Sequence, residues 1–276
     1  MYLTRALDET IRRCEIDGIR KSIEATQRLY PELEATGIEI AGGIARFNGF
    51  DALSEAFGLG TLAPVSADEV SRLIEFYTSR NSTARVFVTP MTHPSLALNL
   101  SLAGFAPAEY EDVLVSDDLE TYARYDDRIA VATNLEAWAM ASMRGFMGDE
   151  PAESGDPRFG VILAAPRGNA AVEGREGGPI VSTAVMSLRG ECAFFFAGAT
   201  VSGSRRRGWH LATIHDRIAR ARDGGARMMR ATAAPGSASE RNFLRCGFRV
   251  LYTRTLWVHG PSTLPVDGAV PIGRPS

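Results

Sequence analysis

One order of elements occurs twice in this 276-residue chain, and a repeat constrains a fold more than any composition does. In the second half, Leu211, Ile214, Ile218 and Ala221 share one face of a helix expected over 208–222. A strand (227–231), a helix (237–245), the turn Cys246-Gly247-Phe248 and a last strand (248–258) follow. In the first half, Val70, Leu73, Ile74 and Tyr77 mark a helix over 67–80. A strand over 85–89, a helix over 93–102, the turn Ala103-Gly104-Phe105 and a strand to 115 come after it. Val70, Leu73 and Tyr77 match Leu211, Ile214 and Ile218 at a constant offset of 141. Val70 to Phe105 spans 35 residues, and Leu211 to Phe248 spans 37. The chain is therefore expected to be an α/β (α+β) protein of two similar domains, 1–125 and 126–260, with a Pro/Gly-rich tail at 261–276 lying on the surface.

Elsewhere the pattern predicts a helix over 4–29 and a β-like segment over 38–47 turning at Gly42-Gly43. A strand over 128–132 and a helix over 134–146 open the second half, followed by strands over 159–164, 180–188 and 193–200. The Gly-rich stretch between Pro166 and Pro179 reads as the mobile end of a hairpin.

Charge narrows the function. The net charge of −3 conceals an asymmetry: residues 199–276 hold 13 Arg, no Lys and 4 acids, a net of +9 against −12 for the rest. A basic end on an acidic chain calls for an anionic ligand, a small polyphosphate or a nucleic acid. Nucleic acid is the weaker reading, because the basic residues are not interleaved with aromatics. No 18-residue apolar run offers a membrane span, and the first 30 residues are charged throughout, so no signal core is expected. Cys14, Cys192 and Cys246 are odd in number and far apart, which suits neither a disulfide framework nor a metal site and fits a reducing cytoplasm.

The chemistry concentrates between Phe194 and His210. There a hydrophobic strand enters a polar loop, Ser202-Gly203-Ser204-Arg205-Arg206-Arg207, and the loop enters a helix at Gly208-Trp209-His210. The first N–H groups of a helix lack partners within it, and the dipole adds positive charge there. A loop wrapped across that end makes a cradle for a diphosphate. Gly208 lets the backbone approach oxygen closely, and the three arginines add charge-assisted donors.

Arg205-x-x-Gly208-x-His210 resembles the Arg/Gln-x-x-Gly-x-Gly/Ala signature of the GNAT acetyltransferase superfamily. The element order around it agrees over roughly 128–258, and Ser239-x-x-Asn242 ahead of Gly247-Phe248 resembles the second wall of that family's cofactor slot. The resemblance implies two GNAT-like domains, acetyl-CoA as co-substrate and no metal. It implies direct transfer of an acetyl group to an amine on a small molecule or peptide, with no nucleic-acid or membrane partner. A homodimer stays open. It places Ala199, Thr200 and Val201 at the strand edge that meets thioester and pantetheine, and Arg205, Arg206, Arg207, Gly208, Trp209, His210 and Asn242 around the cofactor.

Two positions depart from the pattern. His210 stands where Gly or Ala is usual, either as a rim residue or as a phosphate donor. Phe243 stands where a tyrosine often protonates the departing thiolate. Tyr252 is a substitute acid, and Glu150, within Asp149-Glu150-Pro151-Ala152-Glu153, a candidate near the acceptor. With the tyrosine missing, a catalytically inactive CoA-binding regulator is the alternative. In the first half, Ser66-Ala67-Asp68-Glu69 has the form of a capping box. That helix satisfies its own N–H groups and carries two carboxylates, so the first half is expected to be a degenerate copy that binds no CoA.

Overall fold

The computed structural model describes residues 3–147 and 155–260. The acidic stretch with Glu150 and the tail 261–276 lie outside the described residues. In chain order the first elements are α1 (Arg5–Leu29), β1 (Thr36–Ile40), β2 (Gly43–Phe47), β3 (Ala56–Phe57), α2 (Ala67–Thr78), β4 (Arg85–Val88), α3 (Pro94–Leu102) and β5 (Phe105–Ser116). Then come β6 (Ile129–Val131), α4 (Leu135–Met147), α5 (Pro157–Ala164), β7 (Asn169–Arg175), β8 (Ile180–Arg189), β9 (Cys192–Thr200), α6 (Trp209–Asp223), β10 (Met228–Ala233), α7 (Ala238–Arg245) and β11 (Arg249–His259).

These elements form two compact units. Among the described residues the N-terminal unit takes 3–113 and 233–237, and 251–260 joins it from later in the chain. Its sheet runs β1-β2-β3-β4-β11-β5. Strand alternation sorts its core into two layers. On one face Ile44, Phe57, Phe87 and Leu256 pack with Ile19 and Ile23 of α1. On the other, Ala45, Ala56 and Val86 pack with Val70, Leu73 and Tyr77 of α2 and Leu96 and Leu100 of α3.

The interlaced strand is β11. It runs antiparallel to β4, Leu256 opposite Phe87 and Trp257 opposite Val86. Buried Arg254 ties it down, with Nη1 2.9 Å from Glu15 Oε1 of α1 and Nη2 2.9 Å from Glu111 Oε2 of β5. The last strand of the repeat thus packs in the unit that holds the first helix of the chain.

The C-terminal unit holds residues 114–147, 155–232 and 238–250, with sheet order β10-β9-β8-β7-β6. Antiparallel pairing joins β1 to β2, β2 to β3, and β6 through β9 in succession. The pairs β3 with β4 and β9 with β10 are parallel. Each parallel pair brackets one repeat helix, α2 or α6, so the crossover occupies the same place in both repeats.

Two expectations in this unit fail. Residues 159–164 form a helix, not a strand. Asp156 accepts from the Arg158 N–H at 2.9 Å and Pro157 opens the first turn, a start signal the apolar run obscured. Gly160 lets α5 lie against α4, since a Cβ there would sit 2.5 Å from that of Ala139. The expected hairpin end instead contains β7, antiparallel to β6 and β8. Gly174 within it makes room for an indole: its Cβ would fall 2.8 Å from Trp209 Cε3.

Candidate functional site

The loop after β9 delivers the chain to an open helix start. Gly208 is the N-cap of α6 in the left-handed region at φ 81°, and no side chain among the described residues caps it. Nothing lies within 4 Å of where its Cβ would be. Its carbonyl accepts from Ala212 at 2.9 Å, closing the first helical turn and leaving the N–H groups of that turn outside the ladder. The start of α2 is the opposite case. Ser66 Oγ accepts from the Glu69 N–H at 3.2 Å while Glu69 Oε2 accepts from the Ser66 N–H at 2.8 Å, the full capping box.

The three arginines behave differently. Arg205 turns back into the fold: its Nε donates to the Thr200 carbonyl at 3.2 Å and its Nη2 to the Gly145 carbonyl at 3.0 Å, pinning the loop to β9 and α4. Arg206 sits at φ 62°, exposed, with no side-chain partner among the described residues. Arg207 pairs with Glu176 in the β7–β8 turn, Nη1 donating to Oε2 at 2.8 Å. Trp209 is a core residue, packed with Ile129, Val172, Ala184 and Ala212, with Arg128 over its ring at 4.9 Å.

Strand β9 supplies the other wall. Its register with β10 ends at Phe195 opposite Ala231, so residues 196–200 have no β10 partner there. At this departure Ala197 takes φ 50° and the β8 register jumps from Thr183–Ala199 to Val185–Phe196, a bulge at Ala197-Gly198. Beyond it the Val201 N–H goes to the Val181 carbonyl at 3.0 Å, and the Ala199 carbonyl accepts from Ser182 Oγ at 3.1 Å. By strand alternation, Thr200 then presents its N–H to the opposite edge, where Arg205 holds its carbonyl and Gly145 of α4 comes close, a Cβ there falling 3.1 Å from the Thr200 nitrogen. Of the three predicted edge residues, Thr200 alone has its amide directed there.

His210 lies only partly exposed on the first turn of α6. Its Nδ1 is 2.9 Å from Asn242 Nδ2, and its ring meets Phe243 edge-on. Phe243, Phe195 and Phe248 form one aromatic cluster, and the guanidinium of Arg217 lies over Phe195 at 4.8 Å. Burial first and the Arg217 charge second push the His210 imidazole down to about 3. Arg217 is itself fully buried, which lowers it to about 9. Its Nε donates to the Thr213 carbonyl at 3.0 Å and its Nη1 to the Val185 carbonyl at 3.2 Å, while Nη2 has no partner among the described residues.

Sequence reasoning missed four features: the Ala197-Gly198 bulge, buried Arg217, Glu176, and the row Glu173–Thr183–Ala199 across β7, β8 and β9. In that row Glu173 Oε1 accepts from Arg175 Nε at 2.7 Å, but its Oε2 and Thr183 Oγ1 are buried without partners among the described residues. A charged residue between Ile214 and Ile218 and an Ala-Gly-Ala break in a Phe-rich strand were visible signals for two of the four. Tyr252 belongs to the N-terminal unit. Among the described residues no cluster of His, Cys, Asp and Glu is arranged to hold a metal, and no helix is long and apolar enough to cross a membrane.

An open helix start beside a strand that splays from its parallel neighbour defines the class: the chain has the GNAT acetyltransferase fold, in tandem. A GCN5-related N-acetyltransferase from Kribbella flavida superposes with a TM-score of 0.61 at 17% identity, over 90% of this chain and 97% of that one. A tandem GNAT protein from the clavulanic acid biosynthesis pathway, solved without acetyl-CoA, gives 0.57 at 12% identity over 94% and 98%. A GNAT-family protein from Novosphingobium aromaticivorans gives 0.56 at 15% identity over 88% and 97%. No protein-family model matches the sequence, and no curated protein matches it.

Proposed function

We propose that the chain transfers an acetyl group from acetyl-CoA directly to an amine, and that it binds one acetyl-CoA, at the start of α6. The observation that carries this is the contrast between the two repeat helices. The α6 start has an open glycine cap and an Arg206 with no partner among the described residues, while the α2 start is plugged by Ser66 and Glu69. A diphosphate would meet free amides and positive charge at the first and two carboxylates, Asp68 and Glu69, at the second. The N-terminal repeat is accordingly a degenerate copy.

The rest of the site suits this chemistry. Past Phe195 the β9 backbone has no β10 partner, so backbone donors freed there would stabilise the oxyanion formed on amine attack. The attacking amine must be neutral, which needs a base. Glu173 is our assignment: its position lies two strand spacings, about 10 Å, across the sheet from Ala199, and its buried Oε2 has no partner among the described residues. A reducing cytoplasm is the setting proposed on the three widely spaced cysteines. Isothermal titration with acetyl-CoA tests the core of this reading. One site per chain is expected, lost in Gly208→Glu while the fold persists; two equivalent sites, or unaltered affinity in that variant, would refute it.

Phe243, 3% exposed in its aromatic cluster, favours a second reading in which CoA binds but no transfer follows. Tight acetyl-CoA binding with no turnover across a broad amine panel would select it.

A further inference from the structure

We infer that His210 is a catalytic residue of this chain, its Nε2–H donating a hydrogen bond to the thioester oxygen and to the oxyanion that forms there. This rests on the acyl-CoA reading above and assigns a donor that a Gly or Ala at position 210 does not provide.

The tautomer follows from the neighbours. Asn242 Oδ1 faces Arg245 Nη1 at 3.4 Å, so its amide nitrogen faces His210. That nitrogen donates to Nδ1 at 2.9 Å, and a neutral ring must then carry its proton on Nε2. Nε2 points at the bulge: a Cβ on Gly198 would lie 3.2 Å from it. The same position lies 3.9 Å from Arg217 Nη2, the nine-tenths-buried N–H donor that has no partner among the described residues. Two polar groups thus converge on the backbone point where β9 leaves β10. A buried unsatisfied guanidinium N–H is rare enough to need a reason. An oxygen that becomes negative only during reaction supplies one, because its attraction to the cation appears in the transition state.

Arg217 is a positioning residue here. Its charge disfavours protonation of the ring, keeping His210 a neutral donor that polarises a carbonyl without releasing a proton. The groups facing the ring are Arg217 from α6, Asn242 and Phe243 from α7, and Gly198 from β9. None of these changes charge between pH 5 and 8. No bond to His210 is made or broken. The thioester C–S bond breaks as the oxyanion collapses, and the thiolate takes its proton from another source.

The test needs no acceptor. Infrared difference spectra of acetyl-CoA labelled with carbon-13 at the thioester carbonyl would be recorded on the full chain, with affinities measured in parallel by calorimetry. We expect a carbonyl band displaced to lower wavenumber in the wild type and unchanged from pH 5 to 8. The displacement should survive in His210→Gln, whose amide nitrogen can stand in for Nε2. It should be lost in His210→Leu and His210→Asn, each read at acetyl-CoA concentrations that saturate the variant. A purely structural role for His210 would leave the band where it is in any folded variant, and that result overturns the inference alone. Should His210→Leu not fold, the Gln and Asn pair decides in the same way. Failure of the wild type to bind acetyl-CoA removes the acyl-CoA reading and this inference with it.

Discussion

Asn242 Nδ2 stands 2.9 Å from Nδ1 of His210, and with the edge-on Phe243 ring this contact joins α7 to the first turn of α6 across the mouth of the candidate site. The same imidazole sets an acid limit on the fold. The His210 imidazole is held down to about 3 by burial and then by Arg217, far below its ordinary 6.5. The unfolded chain therefore takes up a proton between pH 6.5 and 3 that the folded chain refuses. Stability is complete above 6.5 and falls as pH drops through that window, by about 1.4 kcal/mol for each tenfold rise in proton concentration. His215, also lowered chiefly by burial, contributes in the same direction. Urea titrations from pH 7 to 4 should show this loss, and His210→Gln should make the slope shallower without abolishing it.

Gly208 separates backbone strain from space. Its φ of 81° disfavours any side chain, yet a Cβ there meets nothing within 4 Å. Gly208→Ala should cost about 1–2 kcal/mol of stability from the left-handed conformation alone. It should weaken acetyl-CoA less than Gly208→Glu, which adds a like charge against the diphosphate. Thermal melts and calorimetry on the two variants make the comparison.

Glu176 holds Arg207 and also accepts from Ser204 Oγ at 3.3 Å. The pair is about one-third or more exposed on both sides, so its net worth is small, about 0–1 kcal/mol. Glu176→Gln should release Arg207 toward an anion at little cost in stability. Acetyl-CoA affinity should rise by up to about fivefold, with a steeper dependence on salt.

Leu256 tests the interlaced strand. It is 1% exposed between Phe87 and the α1 residues Ile19 and Ile23. Leu256→Ala should destabilise the N-terminal unit by about 2–4 kcal/mol, though residue 256 lies near the far end of the chain. Hydrogen exchange should show the loss in α1 and β4 first.

Much of this was legible in the residues. The periodic faces of α2 and α6 announced the repeat, Ser66 and Glu69 announced a closed helix start, and Gly208 an open one, because these are local patterns. What escaped depended on tertiary partners. β11 pairs with β4, and Arg254 on it meets Glu15 and Glu111, distant residues that no local pattern connects. Gly174 looked like a turn residue until Trp209 lay against it, and α5 looked like a strand until Gly160 met Ala139. At the site, the glycine and arginine run could be read directly. The commitment of Arg205 to backbone carbonyls and of Arg207 to Glu176 could not, because it depends on where 145, 176 and 200 arrive.

A crystal structure of the chain with acetyl-CoA tests the central claim most directly. The account predicts the diphosphate on the N–H groups of residues 209–211 with Arg206 turned toward it, and the thioester carbonyl beside the Ala197-Gly198 bulge. A cofactor seated at the start of α2, or an α6 start that stays clear of phosphate, would contradict it.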